Sequence, residues 1–362
     1  MELPRKRRKM PVRLASLLAA LLTMTCLDHG MAASVGEEDI LAVPSTSQDQ
    51  RGLELAGGRL WVSAFVNVAF ETLHGQPEEI NLDDTGVLAR WNICNRLSIF
   101  TALELEDFLG WQDGNGVYFA EKGPAVERLY ADMSPTPSTT LRLGKLLTPF
   151  GIWNPIRRAP LTWTVDRPLV TEVSFPLHVT GLALSHKATV GNWDIDSDLY
   201  GQPGGELGRF ADEKAAQRAL GGRVAFGHQI PYGFATTGIE ATWFKDLESD
   251  ETEYAVGADL DLSMAGRLLT SEVILSDGKV DDYETRWGAY VQFVSPLWSR
   301  LFGIVRGEIV GLRQSEEYRN LVLGLAWRSQ NDRWVLKLNY QFSGHAVDGR
   351  TDGIGVAVSS LF

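Results

Sequence analysis

Trp334-Val335-Leu336-Lys337-Leu338-Asn339-Tyr340-Gln341-Phe342 changes character at every step. Trp334, Leu336, Leu338, Tyr340 and Phe342 form one row, and Val335, Lys337, Asn339 and Gln341 form the other. Successive side chains of a β-strand point to opposite faces, so this segment has one greasy face and one wettable face. The pattern recurs outward along the chain. Leu321, Leu323, Leu325 and Trp327 alternate with Val322, Gly324, Ala326 and Arg328. Trp193, Ile195, Ser197 and Leu199 alternate with Asp194, Asp196, Asp198 and Tyr200. Aspartate, lysine and arginine set opposite a Leu/Trp row fit a sheet with oil on one side and water on the other.

From residue 58 onward such segments follow one another, separated by turn residues. Strands are expected at 58–72, 84–93, 95–107, 126–133, 138–147, 178–188, 191–201, 219–228, 232–246, 251–264, 266–277, 283–296, 299–313, 318–329, 332–343 and 352–362. The expectation is an all-β fold, a transmembrane antiparallel β-barrel of about sixteen strands, an even number as in single-chain bacterial barrels. Every second connection is short. The three long ones, 108–125, 148–177 and 202–218, all fall in the alternate set, which faces outside when the short turns are periplasmic. Outward Trp193, Phe293, Trp327 and Trp334 fall near the short-turn strand ends, and outward Phe70, Trp243 and Phe342 near the other ends. Aromatics sorted into two belts suit two membrane interfaces, whereas the core of a soluble sandwich would not sort them.

The N-terminus sets the compartment. Arg5 to Lys9 form a basic head, Leu14 to Leu27 an apolar stretch, and Ala32-Ala33-Ser34 a small-residue site. This is the order of a secretory signal peptide, expected to span 1–33. Residues 34–57 read as a flexible, acidic periplasmic segment, and 58–362 as the barrel. The leader would carry away six basic and two acidic residues, taking the net charge from -12 to about -16. Such a chain lacks the basic face that nucleic-acid binding needs. Only Cys94 would remain, so no internal disulfide is possible and the closed hydrogen-bond ladder must hold the fold. Ile354, Val356 and Val358 recur at every second position before the final Phe362, which is expected to engage the barrel assembly machinery.

Leu141-Arg142-Leu143-Gly144-Lys145-Leu146-Leu147-Thr148-Pro149-Phe150-Gly151-Ile152-Trp153-Asn154 resembles a stretch of porins of the phosphate-selective porin O/P type. The resemblance implies sixteen strands, a homotrimer, and a third extracellular loop folded into the lumen. The connection that carries the motif, 148–177, is the longest in the chain.

The function these features imply is a porin-like channel in the outer membrane of a Gram-negative cell, for small polar solutes or ions. Its surroundings are the lipid bilayer and lipopolysaccharide. A pore selects by size and charge, so the candidate residues are those of the inserted loop and the inner wall. On the loop these are Arg157, Arg158, Asp166, Arg167 and Glu172. On the wall, alternation places Arg90, Arg128, Arg142, Arg223, Arg286, Arg306, Arg328 and Lys337 inward. It also places Glu104, Asp194, Asp196, Asp198, Glu240, Asp259, Asp261 and Glu308 inward, with Glu71, Glu106, Asp132 and Glu272. Opposed acidic and basic walls would set a transverse field. The plainer reading is that inward charges pair across strands and satisfy one another. A structural role in the envelope is the first alternative. Catalysis is the second: Ser185 and His186 fall on opposite faces of one strand, and no Gly-x-Ser-x-Gly or His-Glu-x-x-His run is present. No cofactor is expected. The histidines are too scattered to suggest a metal.

Removal of the leader is expected to give a mature chain that starts at Ala33 or Ser34. N-terminal sequencing of protein extracted from outer membranes checks this, and a chain starting at Met1 overturns it.

Overall fold

The computed structural model describes residues 52–119, 124–156, 158–208, 213–247, 249–280, 283–313, 317–330, 332–344 and 350–362, leaving aside the side chains of 278–280, 283–286 and 312–313. The expected leader, and residues 34–51 of the segment after it, lie outside the described residues.

Among the described residues, twenty strands form one sheet. They are β1 (Leu53–Leu55), β2 (Leu60–Leu73), β3 (Glu79–Leu82), β4 (Thr85–Cys94), β5 (Leu97–Leu105), β6 (Leu109–Gln112), β7 (Gly116–Phe119), β8 (Ala125–Thr136), β9 (Thr139–Leu147) and β10 (His178–Val190). Then come β11 (Trp193–Gln202), β12 (Ala216–Ile230), β13 (Gly233–Asp246), β14 (Thr252–Met264), β15 (Arg267–Val280), β16 (Tyr283–Trp298), β17 (Leu301–Arg313), β18 (Tyr318–Arg328), β19 (Trp334–Ser343) and β20 (Gly353–Leu361). Each pairs antiparallel with its neighbours. The last closes on β2, from Phe65↔Leu361 to Leu73↔Gly353.

The wall has sixteen positions, because four of them are shared by two strands in line; β1, for one, continues β20 along β2. β3 continues β4 along β2: Phe65 faces Gly86 while Ala69 faces Asn81, an offset of one residue at the Asp83-Asp84 break. β6 extends β5 and β7 extends β8 in the same way, with β6 and β7 forming a hairpin.

Alternation is as regular in space as in sequence. Along β19, Trp334, Leu336, Leu338, Tyr340 and Phe342 are exposed on the outside, while Val335, Lys337, Asn339 and Gln341 are buried inside. Outward Trp193, Phe293, Trp327, Trp334, Trp243 and Phe342 are likewise exposed. The short turns use backbone suited to two-residue hairpins. At Ala265-Gly266 both residues have positive φ (50° and 75°), which matches the twist of the flanking strands.

Three stretches differ from the sequence expectation. The expected connection 73–83 carries β3 (Glu79–Leu82), which pairs with β2 and β6. The segment expected to be loose up to residue 57 ends in β1, which pairs Leu53–Leu55 with Leu60–Val62 in a small hairpin. The stretch 108–125, expected as an irregular loop, carries β6 and β7. Alternation is broken at Asp107, whose φ is 48°, so a reading by period stops there although pairing resumes at Leu109↔Phe119.

Leu323 sits mid-strand on the outer face. Leu323→Arg is expected to destabilise the barrel by about 2–4 kcal/mol, as a cation does at the bilayer midplane. Urea titration in phospholipid vesicles checks this, and unchanged stability would place the position outside the lipid band.

Candidate functional site

The connection 148–177 leaves β9, crosses the lumen and returns to β10. Its roots are stapled together. Thr148 N donates to Leu177 O (2.9 Å), and Asn154 Nδ2 donates to both Thr148 O (2.7 Å) and Leu177 O (2.9 Å). Pro149, Pro155, Pro160, Pro168 and Pro176 withhold five amide donors and keep the segment from extending as sheet. What regular structure it has is two turns of 3-10 helix, Asn154–Ile156 and Ala159–Leu161, and a short helix α1 (Leu169–Val173).

Apolar loop side chains meet apolar wall. Phe150 stacks on Phe175 with centroids 4.3 Å apart. Both, with Trp153, Leu169, Val170 and Leu177, share one buried cluster with inward Phe65, Leu88, Phe100, Tyr200, Phe244 and Tyr290. α1 lies so close to the wall that a side chain at Gly288 would collide with Val170. At Gly151 φ is +65° and a β-carbon would meet the Glu272 carboxylate, so glycine is needed twice over.

The loop's backbone polar groups must also find partners, and wall side chains supply them. Glu272 Oε1 accepts from Ile152 N (2.9 Å), Trp153 N (3.0 Å) and the Tyr290 hydroxyl (2.9 Å). Glu308 accepts from Leu169 N (2.9 Å) and Asn320 Nδ2 (3.0 Å). Asn339 Oδ1 accepts from Val165 N (2.9 Å), and Asp84 Oδ2 from Ala159 N (2.9 Å). The cations take the carbonyls. Lys337 Nζ donates to Ala159 O (2.5 Å), Thr162 Oγ1 (2.6 Å) and Thr164 O (3.2 Å). Arg306 Nη1 donates to Thr164 Oγ1 (2.8 Å) and Asp166 O (2.7 Å). Arg350, on the connection between β19 and β20, donates to Arg167 O (2.6 Å) and pairs with Glu172.

These contacts change the role expected for part of the wall. Arg306, Arg328, Lys337 and Glu308 do point inward, but they are 0%, 3%, 2% and 5% exposed beneath the loop. Arg306, Lys337 and Glu308 hold the loop, and the Arg328 guanidinium lies 4.3 Å from the Trp163 ring centre. They do not line water, because the loop backbone needs donors and acceptors there. Arg158 is buried too, and Arg157 lies outside the described residues, as does the Arg286 side chain. Asp166, Arg167 and Glu172 stay partly exposed on the loop.

The wall from β4 to β14 is different. A ladder of cations and rings crosses β4, β5, β8 and β9. Arg90 and Arg128 flank the Phe100 ring (5.5 and 5.1 Å), Phe100 stacks on Tyr130 (5.2 Å), and Arg142 sits over Tyr130 (4.0 Å). Arg142 grips Asp132 through two bonds (2.8 and 3.0 Å), and Arg128 pairs with Glu127 (3.1 Å). Glu104 on β5 is buried. Beyond β10 the acids take over. Asp198 accepts from Ser185 Oγ (2.5 Å) and Asp194 from Thr189 Oγ1 (2.9 Å). Arg223 binds Asp259 (2.7 Å) with Glu240 at 3.6 Å. Asp194, Asp196, Asp198 and Asp261 keep exposed surface, and the side chains of Arg142, Asp132 and Arg223 remain 23%, 15% and 17% exposed. The loop therefore covers inward side chains along β15–β20, while part of β4–β14 keeps solvent-accessible charges.

Asp84, Asn339 and Arg350 are tethers that alternation does not single out. Asp84 lies in the break between β3 and β4. Asn339 reads as one more polar lumen residue, and nothing local marks Arg350.

No protein-family model matches the chain, and no curated protein matches its sequence. Solved structures do match its fold. OprB of Pseudomonas putida superposes with a TM-score of 0.59 at 8% identity, covering 83% of this chain and 93% of its own. An anion-selective porin from Comamonas acidovorans gives 0.53 at 13%, covering 84% and 99%. The trimer form of OmpT, an outer-membrane protein of Vibrio cholerae, gives 0.53 at 9%, also covering 84% and 99%. The fold is that of a porin-type barrel.

Glu272→Ala removes the acceptor of two loop amides and one hydroxyl. Leaving those donors buried costs about 1–3 kcal/mol each. Amide hydrogen exchange at Ile152 and Trp153 is expected to accelerate by at least about tenfold. Unchanged protection would show that apolar packing alone holds the loop.

Proposed function

We propose that this chain is an outer-membrane channel through which small hydrophilic solutes and ions diffuse passively along the β4–β14 side of the lumen. The observation that carries the reading is the split interior. The loop consumes the charges of one side, while Arg142, Asp132, Arg223, Asp194, Asp196, Asp198 and Asp261 on the other retain contact with water. A barrel used only as an envelope strut gains nothing from an unfilled, charged flank, since buried charges without water are costly. Catalysis has less support. The Ser185 hydroxyl is engaged by Asp198, and His186 lies on the outer face.

Among the side chains of this flank that keep exposed surface, the carboxylates of Asp132, Asp194, Asp196, Asp198 and Asp261 outnumber the guanidiniums of Arg90, Arg142 and Arg223. With the acidic mature chain this favours a weak preference for cations, even though Leu141–Asn154 resembles the phosphate-selective porin O/P type. A homotrimer is proposed by analogy with the trimeric Vibrio protein, and the leader at 1–33 would deliver the chain to the envelope.

In planar bilayers with a salt gradient, the wild-type chain is expected to conduct with a reversal potential on the cation side. Replacing Asp194, Asp196 and Asp198 together by Asn is expected to move it toward anions. Liposome swelling with small sugars adds the neutral case. Absence of conductance in protein whose gel migration shows a folded barrel would leave the envelope role as the reading.

A further inference from the structure

The outer faces of β12 and β13 form a ladder that changes chemistry with depth. At the rim on the long-loop side, Arg218 and Lys245 are register partners, and both point outward. Arg218 is exposed and Lys245 half-buried. The next outward pair is Leu220↔Trp243, with Tyr254 of β14 beside Trp243. Below it lie Gly222↔Ala241 and then Val224↔Ile239. The small pair floors an apolar groove of about 500 Å³ whose sides are Leu184, Leu199 and Ile239. Two outward steps separate the cations from Gly222, about 13 Å along the strand. Cations at headgroup level, an aromatic belt, and a channel for hydrocarbon beneath them follow the build of a phosphorylated lipid standing in the outer leaflet.

We propose that Arg218 and Lys245 bind a phosphate of a lipid A-type lipopolysaccharide, one of whose acyl chains lies in the groove over Gly222 and Ala241. The proposal rests on the outer-membrane placement argued above, and it is independent of conduction. Lys245 also reaches Asp250 at 2.5 Å, an exposed pair that is weak and screened by salt. A phosphate offers three strong acceptor oxygens against one carboxylate, and Arg218 supplies a planar donor fork for it. The Asp250 pair leaves the group one net positive charge, which an anionic headgroup complements. A second copy of this chain would bring the same cations and the same apolar row, without the anion.

Native mass spectrometry of the full-length folded chain in detergent tests this, with purified deep-rough lipopolysaccharide as the probe and phosphatidylglycerol and phosphatidylethanolamine as comparators. Wild type is expected to retain lipopolysaccharide in preference to both. Arg218→Glu with Lys245→Glu is expected to weaken retention at least about tenfold, and raised salt to weaken it further. Ala241→Trp, which fills the groove and leaves both cations in place, is expected to weaken it independently. Heat-modified gel migration confirms that each variant is folded. Retention unchanged by either variant, equal retention of phosphatidylglycerol, or cross-linking of position 241 to a second copy overturns the proposal. Lost conductance with lipid still retained would count against the channel alone.

Discussion

A backbone amide inside a bilayer has no water to bond, and that constraint orders the rest of this chain. The sheet meets it by closing on itself. β20 zips onto β2, Phe362 N donates to Ala64 O (2.8 Å), and Ser63 Oγ donates to the Phe362 carbonyl (2.5 Å), so the last residue is tied into the seam. Alternation follows from closure. Once the wall is fixed, every odd step faces hydrocarbon and every even step faces the lumen. A slip of one residue would drive Lys337, Arg306 and Asp259 into lipid. Register is thus specified along the whole wall by the cost of misplacing charges.

Closure creates a second problem inside. A loop that enters the lumen leaves the sheet ladder behind, and its amides and carbonyls need new partners. The wall answers by sign. Carboxylates of Glu272, Glu308 and Asp84 meet N–H groups, while Lys337, Arg306 and Arg350 meet carbonyls. A buried ammonium is tolerable only with such partners, and Lys337 has three. The loop and the charges beneath it therefore need each other. Without the charges, buried amides and carbonyls of the loop would lack partners; without the loop, the charges would open to the lumen.

Much of this was legible in the sequence, for a reason visible at particular residues. Lys337 between Leu336 and Leu338 announces both a strand and its inner face, because period 2 is local and needs no tertiary information. The same rule put Arg90, Arg142, Asp198 and Asp259 on the inner face. It failed where the chain leaves the regular wall, at Leu53–Leu55, at Glu79–Leu82 and at Leu109–Phe119. It was also blind to what sits opposite an inward charge. Arg306 and Arg223 look alike by period, yet one is sealed under Thr164 and the other keeps contact with water. That difference is made by a loop more than a hundred residues away in sequence, which no local pattern records.

The uneven filling decides where a field can act. Charges sealed beneath the loop are committed to fixed backbone groups and move no ion. Charges along β4–β14 that keep exposed surface face a narrow lumen, where the effective dielectric falls below that of bulk solvent and each carboxylate acts more strongly. The guanidinium ladder from Arg90 to Arg142 lies on one stretch of this wall, and the aspartates of β11 and β14 on the next. On the proposed channel reading, a polar solute would meet both signs along this flank, whereas a greasy one would shed water with no compensation. On the channel reading proposed above, the loop would sieve and the wall would sort, through residues that the sequence pattern alone cannot tell apart.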